Sequence, residues 1–117
     1  MDLEKAIQVH ANWKVKLRTA IMKKETIDVF ILQRDNVCDL GEWLYSEGKE
    51  LFGEKKEFLD CLQNHKKFHQ QAGEIGNMIN SQEYEKAEKQ LDGNSLFSNT
   101  SIEVAKNIIS LKKIVNQ

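Results

Sequence analysis

Three histidines, His10, His65 and His69, and two cysteines, Cys38 and Cys61, are the side chains of this chain best suited to hold a metal. His65 and His69 stand four residues apart, which on a helix places their Cβ atoms about 5–6 Å apart on one face. Two imidazoles so placed reach a single ion through bonds of roughly 2.0–2.1 Å. Each of the three histidines falls on the apolar stripe of a helix that the sequence predicts, where an imidazole without a partner is costly. Inward-facing nitrogen and sulfur donors form a ligand set for a transition metal, above all Zn²⁺. Cys38 is predicted near the start of a helix, where the positive end of the helix dipole favours a thiolate. Cys61 competes for the same role, because Cys61, His65 and His69 line one face at i, i+4 and i+8. Periodicity alone leaves the choice open, and Cys61 reads equally well as a small buried apolar residue.

Three histidines and one cysteine fill a tetrahedron. A closed site is structural or regulatory, whereas a catalytic zinc keeps one position for water. The metalloprotease pattern needs a glutamate directly after the first histidine, and Lys66 stands there instead. A di-iron site of the hemerythrin type needs bridging carboxylates and more histidines than the three present. With no glycine-rich phosphate loop and no catalytic triad, the chain reads as a non-enzyme. Two other readings compete. One is a metal-free helical dimerisation or adaptor protein whose histidines are core residues with one hydrogen bond each. The other is a small metalloenzyme with an open coordination position.

The elements that must position these residues are helices. Leu3, Ala6, Ile7, His10, Trp13, Leu17, Ala20 and Ile21 recur in steps of three and four, predicting a first helix from about Asp2 to Lys24 with Asp2 as its cap. Residues 25 to 35 show no clear period. A short second helix is expected from Asn36, with Cys38 in its first turn and Gly48 at its end. Phe58, Leu62, His65, His69, Ala72, Gly76 and Ile79 form a heptad-like seam on a third helix, widened by Cys61, Phe68 and Ile75. A short helical stretch carries Tyr84, Ala87 and Leu91, and Asp92-Gly93 marks a turn. Thr100 and Glu103 read as a capping box for a last helix from about Asn99, with Ile102, Ala105, Ile108, Ile109 and Ile114 on its buried face. The fold class is all-α: an antiparallel four-helix bundle with a short second helix and an interrupted last helix, forming one domain over residues 1–117.

Composition agrees. Apolar residues make up 40% and charged residues 30%, a globular balance, and the absence of proline suits a chain made of helices. The net charge of −1 and the interleaved signs give no basic face for nucleic acid or membrane. The longest apolar run, Val29-Phe30-Ile31-Leu32, falls far short of the ~20 residues of a membrane span. An acidic, amphipathic start does not resemble a signal peptide. A cytoplasmic location is expected, with thiols reduced and no structural disulfide.

With these residues in view, Cys38-Asp39-Leu40-Gly41-Glu42-Trp43 resembles the Cys-x-x-Gly-x-Trp signature of the chemoreceptor zinc-binding domain family. His10 shortly before Trp13, and His65-x-x-x-His69 farther on, are similar to that family's other ligands in order and spacing. The resemblance extends over essentially the whole chain, including Asn94-Ser95-Leu96-Phe97-Ser98. It implies a four-helix bundle with one Zn²⁺ on His10, Cys38, His65 and His69, and so Cys38 rather than Cys61. It further implies a homodimer, with Gly41 permitting close helix approach and Trp43 packing across the bundle or at the dimer interface. Family members are usually joined to bacterial chemoreceptors or diguanylate cyclases, regulating output in response to zinc or to oxidants such as hypochlorous acid. The sequence shows no signalling coiled coil or cyclase, so the expectation is either an excised domain or a free-standing member, Met1 directly before the first helix slightly favouring the second, with such a signalling protein as partner in cis or in trans.

Overall fold

The computed structural model describes residues 1–116, and among these every regular element is helical. Helix α1 spans Leu3–Lys23, followed by the short helices α2 (Val29–Leu32), α3 (Asp39–Leu44) and α4 (Glu47–Phe52). Helix α5 spans Lys56–Asn80, α6 spans Tyr84–Lys89 and α7 spans Leu96–Val115. The expected all-α bundle is present, with three long helices, α1, α5 and α7, packed around one core.

Side-chain contacts give the direction of each element. Lys112 near the end of α7 pairs with Glu4 at the start of α1, while Arg18 near the other end of α1 bonds the Leu91 carbonyl just before α7. Those two helices are therefore antiparallel. Asn64 donates to Asn107, so the N-terminal half of α5 meets the C-terminal half of α7. The segment α2–α3–α4 runs back along α5. Asn80 at the end of α5 holds the backbone of Ile27, Gly76 faces Val29 and Leu32, and Cys38 lies against His65. This segment takes the second position of an up-down-up-down bundle, and α1 and α5 run parallel. Gly76 makes the close approach possible, since a Cβ there would press on Ile27, Val29 and Leu32.

The caps explain where helices begin. Asp2 accepts the Lys5 N–H and starts α1 as expected, and the left-handed backbone of Lys24 ends it. Three local expectations are corrected. Asn36 does not cap the second helix; Cys38 itself is the N-cap of α3, so it precedes the first turn rather than lying within it. Gly48 does not end that helix; it lies inside α4, beneath the Trp43 ring, which leaves no room there for a Cβ. Thr100 does not begin the last helix; Ser95 does, accepting the Ser98 N–H, and Thr100 is buried one turn inside α7.

The earlier start also settles which face of α7 is inside. Phe97, Val104, Ile108 and Leu111 are buried, whereas Ile102 and Ile109 are 51% and 47% exposed, against the expectation that they face the core. Phe97 stacks on Phe68 of α5 at 5.0 Å and joins the two helices just behind the histidines. If Ser95 is the cap, Ser95→Ala lowers unfolding stability by about 1 kcal/mol. Denaturant titration checks this, and a variant as stable as the parent would return the cap to another residue.

Candidate metal centre

His10, Cys38, His65 and His69 come together in the core, each offering one ligand atom, all within 4.8 Å of one another. Helix α1 supplies His10, the start of α3 supplies Cys38, and successive turns of α5 supply His65 and His69. The His65 Nε2 lies 3.1 Å from the Nε2 of both His10 and His69. The Cys38 Sγ stands 3.8, 3.3 and 3.7 Å from the Nε2 atoms of His10, His65 and His69. A zinc tetrahedron with bonds of about 2.0–2.1 Å to nitrogen and about 2.3 Å to sulfur has N···N edges near 3.3 Å and N···S edges near 3.6 Å. Five of the six edges lie within about 0.3 Å of those figures, and the sixth, between His10 and His69, is no longer than 4.8 Å.

Proton bookkeeping makes the fit sharper. The His10 Nδ1 is 2.8 Å from the Ala6 carbonyl and the His69 Nδ1 is 2.8 Å from the Leu32 carbonyl. A carbonyl oxygen only accepts, so each Nδ1 carries the proton and donates. In the neutral ring each Nε2 is then a bare lone pair, and both point at His65 Nε2. Without metal, a neutral His65 and the Cys38 thiol have one proton each to offer to these two lone pairs. The His65 Nδ1 is buried without a hydrogen-bond partner among the described residues. Those two protons can reach the His10 and His69 lone pairs only one each, whereas a cation at the centre would engage all four atoms at once, with His65 then protonated on Nδ1. Orienting bonds from the second ring nitrogen to backbone carbonyls are the usual support of metal-bound histidine.

A proton is a poor substitute for that cation. Burial first, and then the neighbouring imidazole charge of His69, push His65 down to about 2. Burial pushes His10 down to about 4, with the Ala6 carbonyl opposing, and it lowers His69 as well. The three rings are thus neutral donors at ordinary pH. Burial also raises the Cys38 thiol, outweighing the N–H groups of Gly41, Cys38 and Leu40. The helix start favours the thiolate, as expected, with Gly41 donating to the sulfur at 3.3 Å, but burial outweighs it. Metal is needed to draw that proton off.

Cys61 stays outside the cluster. It is fully buried, a free thiol, and burial pushes it up to about 12. It fills core space, the apolar reading that the sequence left open.

Other residues set the geometry without belonging to the cluster. Phe68 lies edge-on to the His10 and His69 rings at 5.3 and 5.5 Å. Gly41 packs so tightly on the Asp35 backbone that a Cβ there would collide with the Asp35 carbonyl oxygen. Tyr45 donates to the Asp35 carboxylate at 2.5 Å and ties the loop before Cys38 to α3. Ala6 could have been read in advance, one turn before His10. Leu32 could not, because it falls in the stretch without a clear period.

The chain matches the chemoreceptor zinc-binding domain over residues 10–75, more than half its length, and the match contains all four clustered residues. The chain therefore belongs to the chemoreceptor zinc-binding domain family, and zinc is the ion its cluster is positioned to hold. No curated protein and no solved structure matches it.

Two outcomes follow from this geometry. The folded histidines titrate below the ordinary value of 6.5, so in zinc-free protein the unfolded chain binds more protons below that pH. Stability contributed by the neutral rings is full above about pH 6.5 and is lost as pH falls toward the folded values. The melting midpoint of chelator-treated protein should fall steadily from pH 7 to pH 5, and a flat profile would contradict the neutral-ring assignment. Separately, Gly41→Ala should cost about 1–3 kcal/mol by overpacking and weaken metal binding, because relieving the clash moves Cys38. Calorimetry with and without zinc checks both effects.

Proposed function

We propose that His10, Cys38, His65 and His69 ligate one Zn²⁺ and that residues 1–117 form a single regulatory domain of bacterial signalling rather than an enzyme. The observation that carries this reading is the convergence of three Nε2 atoms and one sulfur within 4.8 Å of one another, five of the six spacings close to tetrahedral edge lengths. Bound zinc supplies a cross-link between α1, the start of α3 and α5. Structural zinc in small domains binds with apparent free energies of about 10–16 kcal/mol, comparable to the roughly 5–15 kcal/mol net stability of a domain. Occupancy therefore governs how the Cys38 end of α3 is held.

The regulatory step resides in Cys38. Its sulfur both faces the metal position and caps α3. Hypochlorous acid delivers an oxygen to the thiolate, giving a sulfenic acid and releasing chloride, and the sulfur loses its donor strength. The start of α3 is then held less tightly, and its surface changes for a partner. The output belongs to chemotaxis or to cyclic-di-GMP control, through a chemoreceptor or a diguanylate cyclase in cis or in trans, in the cytoplasm. A homodimer is the assembly we assign, with exposed Ile102 and Ile109 supplying apolar surface. No helix among the described residues is long and apolar enough to cross a membrane.

Elemental analysis of protein purified without added metal tests the site. The parent should carry one zinc per chain. Cys38→Ala and His69→Ala should lose it or bind about 100-fold more weakly, at least the cost of losing an outer-shell partner, while Cys61→Ala keeps it. Parent protein that takes up no zinc when supplied with it would overturn the reading. Sedimentation of the same samples tests the dimer.

A further inference from the structure

The four clustered residues are unequally enclosed. His10, His65 and His69 are 4%, 0% and 2% exposed, whereas Cys38 is only partly buried. A cavity of about 260 Å³ reaches His10 and Cys38 between the first turns of α1 and the start of α3. Its walls include Ala6, Val9 and Leu40, and Asp2, Lys5 and Asp39 lie at its rim. Roughly 10–15 Å³ suffices for one water, so this space admits a hydrated ion or a small ligand. A second cavity, of about 190 Å³, also touches His10 from the α7 side, but it is lined chiefly by apolar side chains and does not include Cys38.

We propose that the larger of these two cavities is the exchange route of the metal centre. Zinc enters by it, and small anionic ligands or oxidants reach the Cys38 sulfur by it, with Val9 setting the width. The proposal rests on the zinc reading above. The carboxylates of Asp2 and Asp39 attract an incoming divalent cation, and Lys5 attracts an anion that removes it. Val9 is 38% exposed, so its side chain can be enlarged or trimmed without disturbing the core. A wall residue that touches no ligand atom changes the rates of entry and exit together and leaves their ratio alone.

The test compares Val9→Trp and Val9→Ala with the parent and with Val15→Trp, which alters a 62% exposed position on the same helix outside the cavity lining. Stopped-flow mixing follows zinc uptake by metal-free protein and zinc loss to excess chelator. Alkylation of Cys38 by iodoacetamide in metal-free protein gives a readout independent of zinc. Val9→Trp should slow all three by about tenfold or more, Val9→Ala should speed them, and zinc affinity should stay within about twofold of the parent. Rates in both Val9 variants equal to those of the parent would overturn the route. A change in affinity without a matched change in both rates would overturn it too. Failure of the zinc reading is distinguishable, because the parent itself would then take up no zinc.

Discussion

Four potential ligand atoms, three imidazole Nε2 and one Sγ, meet inside a helical core at spacings that a single cation can bridge. The backbone carbonyls of Ala6 and Leu32 fix the tautomers of His10 and His69, leaving their lone pairs directed inward. Burial then disfavours the imidazolium that might have filled the gap. Each constraint alone is ordinary, but together they leave the centre of the cluster suited to a cation. In a low-dielectric interior unsatisfied polar atoms are most costly, and the buried His65 Nδ1 has no partner among the described residues.

The bundle topology is what allows the ligands to meet. In an up-down-up-down arrangement α1 and α5 are diagonal and parallel, facing one another across the core rather than side by side. Their histidines therefore project toward the bundle axis, and Phe68 closes the space beside them. The remaining ligand comes from the irregular segment packed on α5. A continuous long helix there would place its side chains in a fixed register. The break after α2 instead lets the chain swing Cys38 into the axis and restart as α3. Gly41 permits the close return of this loop, and the Tyr45–Asp35 bond holds it.

The sequence was most legible where period and ligand spacing coincided. The seam of α5 contains His65 and His69 at positions that could only point inward, and the stripe of α1 does the same for His10. The limits of α1 followed from Asp2 and from the loss of period after Ile21. The second position of the bundle was hard to read because helices of four and six residues contain too few turns to establish a period. The start of that helix was misplaced by two residues for the same reason: cysteine is not among the usual capping residues, so Asn36 looked the better cap. In α7 the competing start at Thr100 hid Ser95. Because Ile102 and Ile109 are strongly apolar, hydrophobicity alone put them inside, whereas the stripe through Phe97, Val104, Ile108 and Leu111 had the better spacing. Period did not decide between Cys38 and Cys61; the choice came from the family resemblance carried by Cys38, Gly41 and Trp43, and Cys61 lies on α5 outside the cluster.

The unequal setting of the ligands bears on how such a site responds. Three corners are rings on long helices, with two of them pinned through Nδ1 and all three nearly enclosed. The fourth is a partly buried thiol at the start of a six-residue helix, held by a loop and a glycine contact. A change at the His65 or His69 corner would have to move α5, on which the core is built. A change at Cys38 needs only the loop and the first turn of α3 to shift. The same sulfur caps that helix, so its loss as a ligand and its loss as a cap coincide. The thiol also differs from the imidazoles in having to release a proton on binding metal and in being readily oxidised. Chemical sensitivity and mechanical freedom thus fall on the same corner of the cluster.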